Sequence, residues 1–121
     1  MAKTIYISGK MGEKRLSKAT VEKFAKAQEE MLAEGWSVIN PANPQFQKGA
    51  QIHVSIEEKK WVDLELGHFD WYAWMLLFDL HYLALCEAIY MLKDWKDSPG
   101  AIAEHAFAKA CGKIIFYEEE D

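Results

Sequence analysis

A chain of 121 residues, half of them hydrophobic and 27% charged, has the length and composition of one folded domain rather than of a disordered segment. Nineteen acidic against fourteen basic residues give a net charge of -5, which argues against a nucleic-acid polymer as partner, since that needs a basic face. A small anion stays within reach, because helix N-termini and backbone amides bind one without net positive charge.

Met1-Ala2-Lys3 runs directly into Thr4-Ile5-Tyr6-Ile7-Ser8, with no signal-peptide pattern, so a cytoplasmic location is expected. That run is rich in β-branched and aromatic residues and predicts a buried parallel strand. Gly9-Lys10-Met11-Gly12 follows as a loop. It lacks the Gly-Lys-Ser/Thr ending of a Walker loop, and ligand contact and plain turn geometry are both open for it. Ser17 to Glu34 is predicted helical: Val21, Phe24, Ala25, Gln28, Met31 and Leu32 recur at steps of three and four. Ser17 can cap its start, and Gly35 ends it. Trp36 to Asn40 is a second strand, stopped by Pro41.

Pro41 to Val54 holds Pro41, Pro44, two asparagines and Gly49 and reads as the longest irregular stretch, of the kind used for lids and binding loops. Ser55 to Leu66 reads as a short helix opened by Ser55 and Glu58 and broken at Gly67. Phe69 to Glu87 is apolar on almost every helical face. One side should meet the core and another a second subunit, so a homo-oligomer through the Trp71–Leu85 helix is expected. Its most apolar run, Trp71 to Phe78, is far shorter than the roughly 20 residues of a spanning helix, so no membrane contact is expected.

Asp79 stands nearly alone in that segment. Burying it unpaired is costly, so it needs a partner, a role or a wet cleft; a solvent-facing position at the helix edge is the plainer reading. His81 reads as a rim residue, and no second ligand at a plausible spacing supports a metal. No cofactor is expected. Ala88 to Leu92 is a third strand, Lys93 to Pro99 its outgoing loop, Gly100 to Cys111 an alanine-rich helix, Gly112 its cap, and Lys113 to Tyr117 the last strand. The tail Glu118 to Asp121 is a solvated acidic end. Cys86 and Cys111, inside apolar helical stretches, read as reduced buried thiols.

Strands alternating with helices predict an α/β fold, a four-stranded parallel sheet of order 2-1-3-4 in a flavodoxin-like three-layer sandwich, all in a single domain. The switch point of that order lies between the first and third strands, where such folds bind ligands. The loops Gly9–Gly12 and Lys93–Gly100 both open there. Glu104 sits in the first turns of the helix leaving that edge. Asp79 lies back along the antiparallel helix toward the same edge. Two carboxylates in one crevice with an aromatic ring such as Trp95 suit glycosidic chemistry.

Tyr6-Ile7-Ser8-Gly9, Asn40-Pro41, Asp79, Ser98-Pro99-Gly100-Ala101-Ile102-Ala103-Glu104 and Ala108 to Lys113, in this order and spacing, resemble the nucleoside 2-deoxyribosyltransferase superfamily, closest to its small phage and bacterial branch. The resemblance covers nearly the whole chain apart from Pro44 to Gly67. It implies a flavodoxin-like domain, often oligomeric, that cleaves or transfers at the N-glycosidic bond of a deoxynucleoside or its 5′-monophosphate. It implies that Glu104 is the nucleophile at C1′ and that Asp79 binds the sugar or assists the leaving base. Ser98 falls where the related deoxynucleotide N-glycosidases hold the 5′-phosphate, and Tyr6, Ser8, Gly9, Trp95, Gly100 and Ala101 fall around the ligand. Where that group commonly has Gly-Trp, this chain has Asp94-Trp95, a negative charge beside the expected phosphate position. Two other readings compete: a binding module that breaks no bond, and a scaffold assembled through the apolar helix.

Overall fold

The computed structural model describes residues 3–11 and 16–119. Met1, Ala2, Gly12 and the last two residues of the acidic tail lie outside them. In chain order the elements are β1 (Thr4–Ser8), α1 (Lys18–Ala33), β2 (Ser37–Ile39), α2 (Pro44–Asp63), α3 (Trp71–Ala84), β3 (Ala88–Met91), a single 3-10 turn at Trp95–Asp97, α4 (Pro99–Ala110) and β4 (Ile114–Tyr117). The sheet is parallel throughout, in the order β2-β1-β3-β4. This is the expected flavodoxin-like α/β arrangement.

Side chains alternate across a strand, so β1 and β3 each feed two interiors. Ile5 and Ile7 of β1 join Ala88, Tyr90 and Leu92 on one face, where Phe24, Ala27 and Met31 of α1 cover them. Tyr6 of β1 joins Ile89 and Met91 on the other face, beneath Leu83 of α3 and Ala101 and Ala108 of α4. The register pairs Tyr6 with Ile89 and Ser8 with Met91. Both strands end at the same edge, and the loops that follow open side by side, as the strand order requires.

The stretch from Pro41 to Val54 is not a long loop, and Ser55 does not begin a helix. One helix, α2, runs from Pro44 through both segments. Asn43 starts it by accepting the N–H groups of Gln45 and Phe46, and Pro44 stands at the first helical position, where its missing N–H costs nothing. Phe46, Ala50, Val54 and Trp61 then recur at helical spacing, and Gly49 is tolerated on the exposed side.

That helix also changes the account of α3. Phe46 packs edge-on against Phe78 and Tyr82, and Trp61 against Trp74. The Trp74, Phe78 and Tyr82 stripe is thus covered by α2 of the same chain. Cys111 differs from expectation as well. It is exposed at the end of α4, while Cys86 is buried just beyond α3. Among the described residues no helix is long and apolar enough to cross a membrane.

Candidate active site

The site begins with the alternation of β1. Because Ile5 and Ile7 turn to α1, Tyr6 and Ser8 turn together to α4, and both are fully buried. Ser98 opens α4: its hydroxyl accepts the N–H of Ala101 at 3.2 Å, and Pro99 takes the first helical position. From there the buried stripe of α4 is Ala101, Glu104 and Ala108. The two alanines let the helix lie close to the sheet, and Glu104 between them projects its carboxylate onto β1.

Glu104 is only 3% exposed. The Tyr6 phenol donates a short hydrogen bond to its Oε2, and the Ser8 hydroxyl donates to its Oε1 at 2.7 Å. Burial disfavours the charged carboxylate and pushes its pKa up to about 7, against the pull of those two hydrogen bonds, which favour the charge. Burial also raises the Tyr6 phenol well above its ordinary range, and the nearby charges of Glu104 and Asp79 add to this, so Tyr6 stays a donor.

Asp79 joins this cluster from α3. Its Oδ1 is sealed from solvent and has no hydrogen-bond partner among the described residues. Burial, and next the charge of Glu104, push its pKa up to about 8. The charge of Glu104 thus reaches Asp79, with Glu104 bonded twice and Asp79 Oδ1 not at all among the described residues. A carboxyl group kept neutral beside one that ionises earlier is the environment in which an acid and a nucleophile or base are told apart.

The remaining expected contacts are distributed differently. A Cβ on Gly9 would come within 2.7 Å of Leu92 Cδ1, so close packing of the loop on Leu92 requires glycine there. Ala101 is buried in the core beneath α4. Trp95 stacks on His105 with ring centroids 4.2 Å apart, and His105 Nε2 meets the Tyr117 hydroxyl at 2.8 Å. This ring thus belongs to a cluster on the β4 side of α4. Ser98 is buried at the helix entrance, with its hydroxyl hydrogen left to donate.

Two residues that sequence reasoning did not single out shape this edge of the sheet, one at the entrance of α4 and one between the loops. Tyr72, in the first turn of α3, brings its hydroxyl over Gly100, where a Cβ would lie 3.1 Å from it. Lys23 of α1 donates to Asp94 Oδ2 at 2.5 Å and to the Lys10 carbonyl at 3.1 Å, while Asp94 Oδ1 accepts the Lys10 N–H at 3.0 Å. The charge of Asp94 is thus paired, and it ties the loops after β1 and β3 to each other and to α1. Tyr72 was hidden among many aromatics; Lys23 carries no local signal for a partner 71 positions away. Among the described residues no group of three or more His, Cys, Asp or Glu is placed to hold a metal.

Residues 3–117 match the profile of a family described as a domain of unknown function, DUF4406. Comparisons with curated proteins and with solved structures give no significant match.

Proposed function

The chain belongs to the DUF4406 family, and for it we propose cleavage or transfer at the N-glycosidic bond of a deoxynucleoside or deoxynucleoside 5′-monophosphate. The supporting observation is one buried carboxylate, Glu104, aimed by Tyr6 and Ser8 and coupled to a second carboxyl, Asp79, beside the sheet edge where such folds bind ligands. The order of motifs shared with nucleoside 2-deoxyribosyltransferases adds to it.

In this reading an oxygen of ionised Glu104 forms a bond to C1′ as the bond from C1′ to the base nitrogen breaks. The electron pair of that bond leaves with the base, and Asp79 supplies the proton the base needs. Water or a second base then attacks C1′ and displaces Glu104, and the Asp79 carboxylate takes up the proton released. Two displacements retain configuration at C1′. Tyr72, Ser98 and the Gly100 backbone flank the entrance of α4 and offer neutral donors to a sugar hydroxyl or a phosphate.

The test is release of free base from the four common deoxynucleosides and their 5′-monophosphates, followed chromatographically. Base release by the native chain and its loss in Glu104→Gln support the reading. No release over many hours defeats it, and thermal stabilisation by a nucleotide without turnover points instead to a binding module.

We also propose that the chain self-associates through α3. With the α2 side already covered, Trp71, Tyr72, Leu77 and Leu85 remain exposed, Leu77 at 54%. Sedimentation should show an oligomer that Leu77→Glu dissociates; a monomer at high concentration contradicts this.

A further inference from the structure

The charge of Glu104 reaches Asp79 and raises its pKa, so ionising both acids together is opposed in a medium that screens poorly. Which of them keeps the proton depends on the hydrogen bonds each receives. Glu104 receives two, from Tyr6 on Oε2 and from Ser8 on Oε1. Asp79 Oδ1 receives none among the described residues. The groups around the pair are few. From β1 come Tyr6 and Ser8, from α3 Asp79, and from the turn after α3 the Cys86 thiol, which burial raises to about 11. On the same face β3 offers Ile89 and Met91, which donate nothing. The asymmetry therefore comes from β1.

Tyr6 and Ser8 differ in what they do. The Tyr6 phenol is large and fills the core beneath α3 and α4 as well as donating. Ser8 is small and fully buried, and its hydroxyl donates to Glu104. We propose that Ser8 is the positioning residue that assigns the charge. Its hydroxyl holds Oε1 of ionised Glu104, fixes the plane of the carboxylate against β1, and leaves Asp79 as the acid that keeps its proton. Ser8 touches no reacting atom; it acts through Glu104. This inference rests on the glycosidic reading for its use, since a nucleophile must be ionised while its partner remains an acid, but not for its test.

The test is a titration of the side-chain carboxyl carbons by NMR in the full chain without substrate, with the two resonances assigned from Glu104→Gln and Asp79→Asn. In the native chain Glu104 should ionise before Asp79. In Ser8→Ala the Glu104 midpoint should rise by about one pH unit or more, the scale of one hydrogen bond to a charged group. It should then meet or pass that of Asp79. Ser8→Thr, which keeps the hydroxyl, should restore the native order. Ser8→Cys, a weaker donor of similar size, should fall between and covers the case in which alanine loosens the strand. A Glu104 midpoint unmoved by both Ser8→Ala and Ser8→Cys overturns the proposal, as does a native chain in which Asp79 ionises first. Base release plays no part in this readout. A shifted midpoint in a chain that releases no base leaves Ser8's role standing while the glycosidic reading falls, and base release with an unmoved midpoint does the reverse.

Discussion

The two faces of the sheet draw alternate residues from the same two strands, yet they hold different interiors. On the α1 face Ile5, Ile7, Ala88 and Leu92 meet Phe24, Ala27 and Met31 in an apolar layer. On the α3–α4 face the same strands contribute Tyr6, Ser8, Ile89 and Met91, and the helices contribute Glu104 and Asp79 among Leu83, Ala101 and Ala108. A domain this size depends on burying apolar area, so the first face carries stability. The second gives up part of that gain to enclose two ionisable groups, and among the described residues Asp79 Oδ1 has no hydrogen-bond partner.

The contrast can be broken from either side. Phe24→Ala empties the centre of the α1 face and should lower unfolding free energy by about 3 to 5 kcal/mol in urea titrations, while a variant that still folds keeps its ligand response. Glu104→Gln should do the opposite, cutting base release by about 10²- to 10³-fold or more with native circular dichroism. Loss of stability comparable to Phe24→Ala from this nearly isosteric change would place Glu104 with the structural residues.

The third effect is smaller and sharpens the comparison through pH. Both carboxyl groups hold their protons to higher pH folded than unfolded, near 7 for Glu104 and 8 for Asp79. Their contribution to stability is therefore fully present below the ordinary carboxylate range, near pH 4, and is lost as pH rises through 7 and 8. Melting temperature should fall by about 5 °C or more between pH 5 and pH 9, and Asp79→Asn should flatten that slope. The smallest effect belongs to neither face. Lys23→Ala removes a partly exposed ion pair and should cost no more than about 1 kcal/mol, with high salt reducing the difference.

Much of the fold was legible because its signals are local. The β-branched and aromatic run of β1, the Ser17 cap and the stop after Asn40 are each read from a few neighbouring residues, whereas the Ser98 cap shows only in the fold. Glu104 was legible from its place in a helix leaving the switch point, and Asp79 as a lone charge in an apolar helix. The α2 helix was not, because Pro44 and Gly49 read as turn formers, whereas Asn43 before Pro44 is an N-cap before a favoured first position. Without α2 the apolar sides of α3 could be divided only between the core and a second subunit, and the α2 side went unseen. The bonds from Tyr6 and Ser8 to Glu104 span 98 and 96 positions, and the stacking of Trp95 on His105 turns its ring toward β4. No local pattern encodes such pairings; only the register of the strands and the pitch of α4 do.

A covalent bond from Glu104 to C1′ is the step that can be caught directly. A deoxynucleoside carrying fluorine at C2′ slows breakdown of a glycosyl-enzyme intermediate, so the intact chain can be weighed after mixing. The expected result is one fluorodeoxyribosyl adduct per chain, mapped to the Pro99–Ala110 peptide at Glu104, with one equivalent of base released and no adduct in Glu104→Gln. Base release with no adduct, or an adduct on another residue, would contradict it.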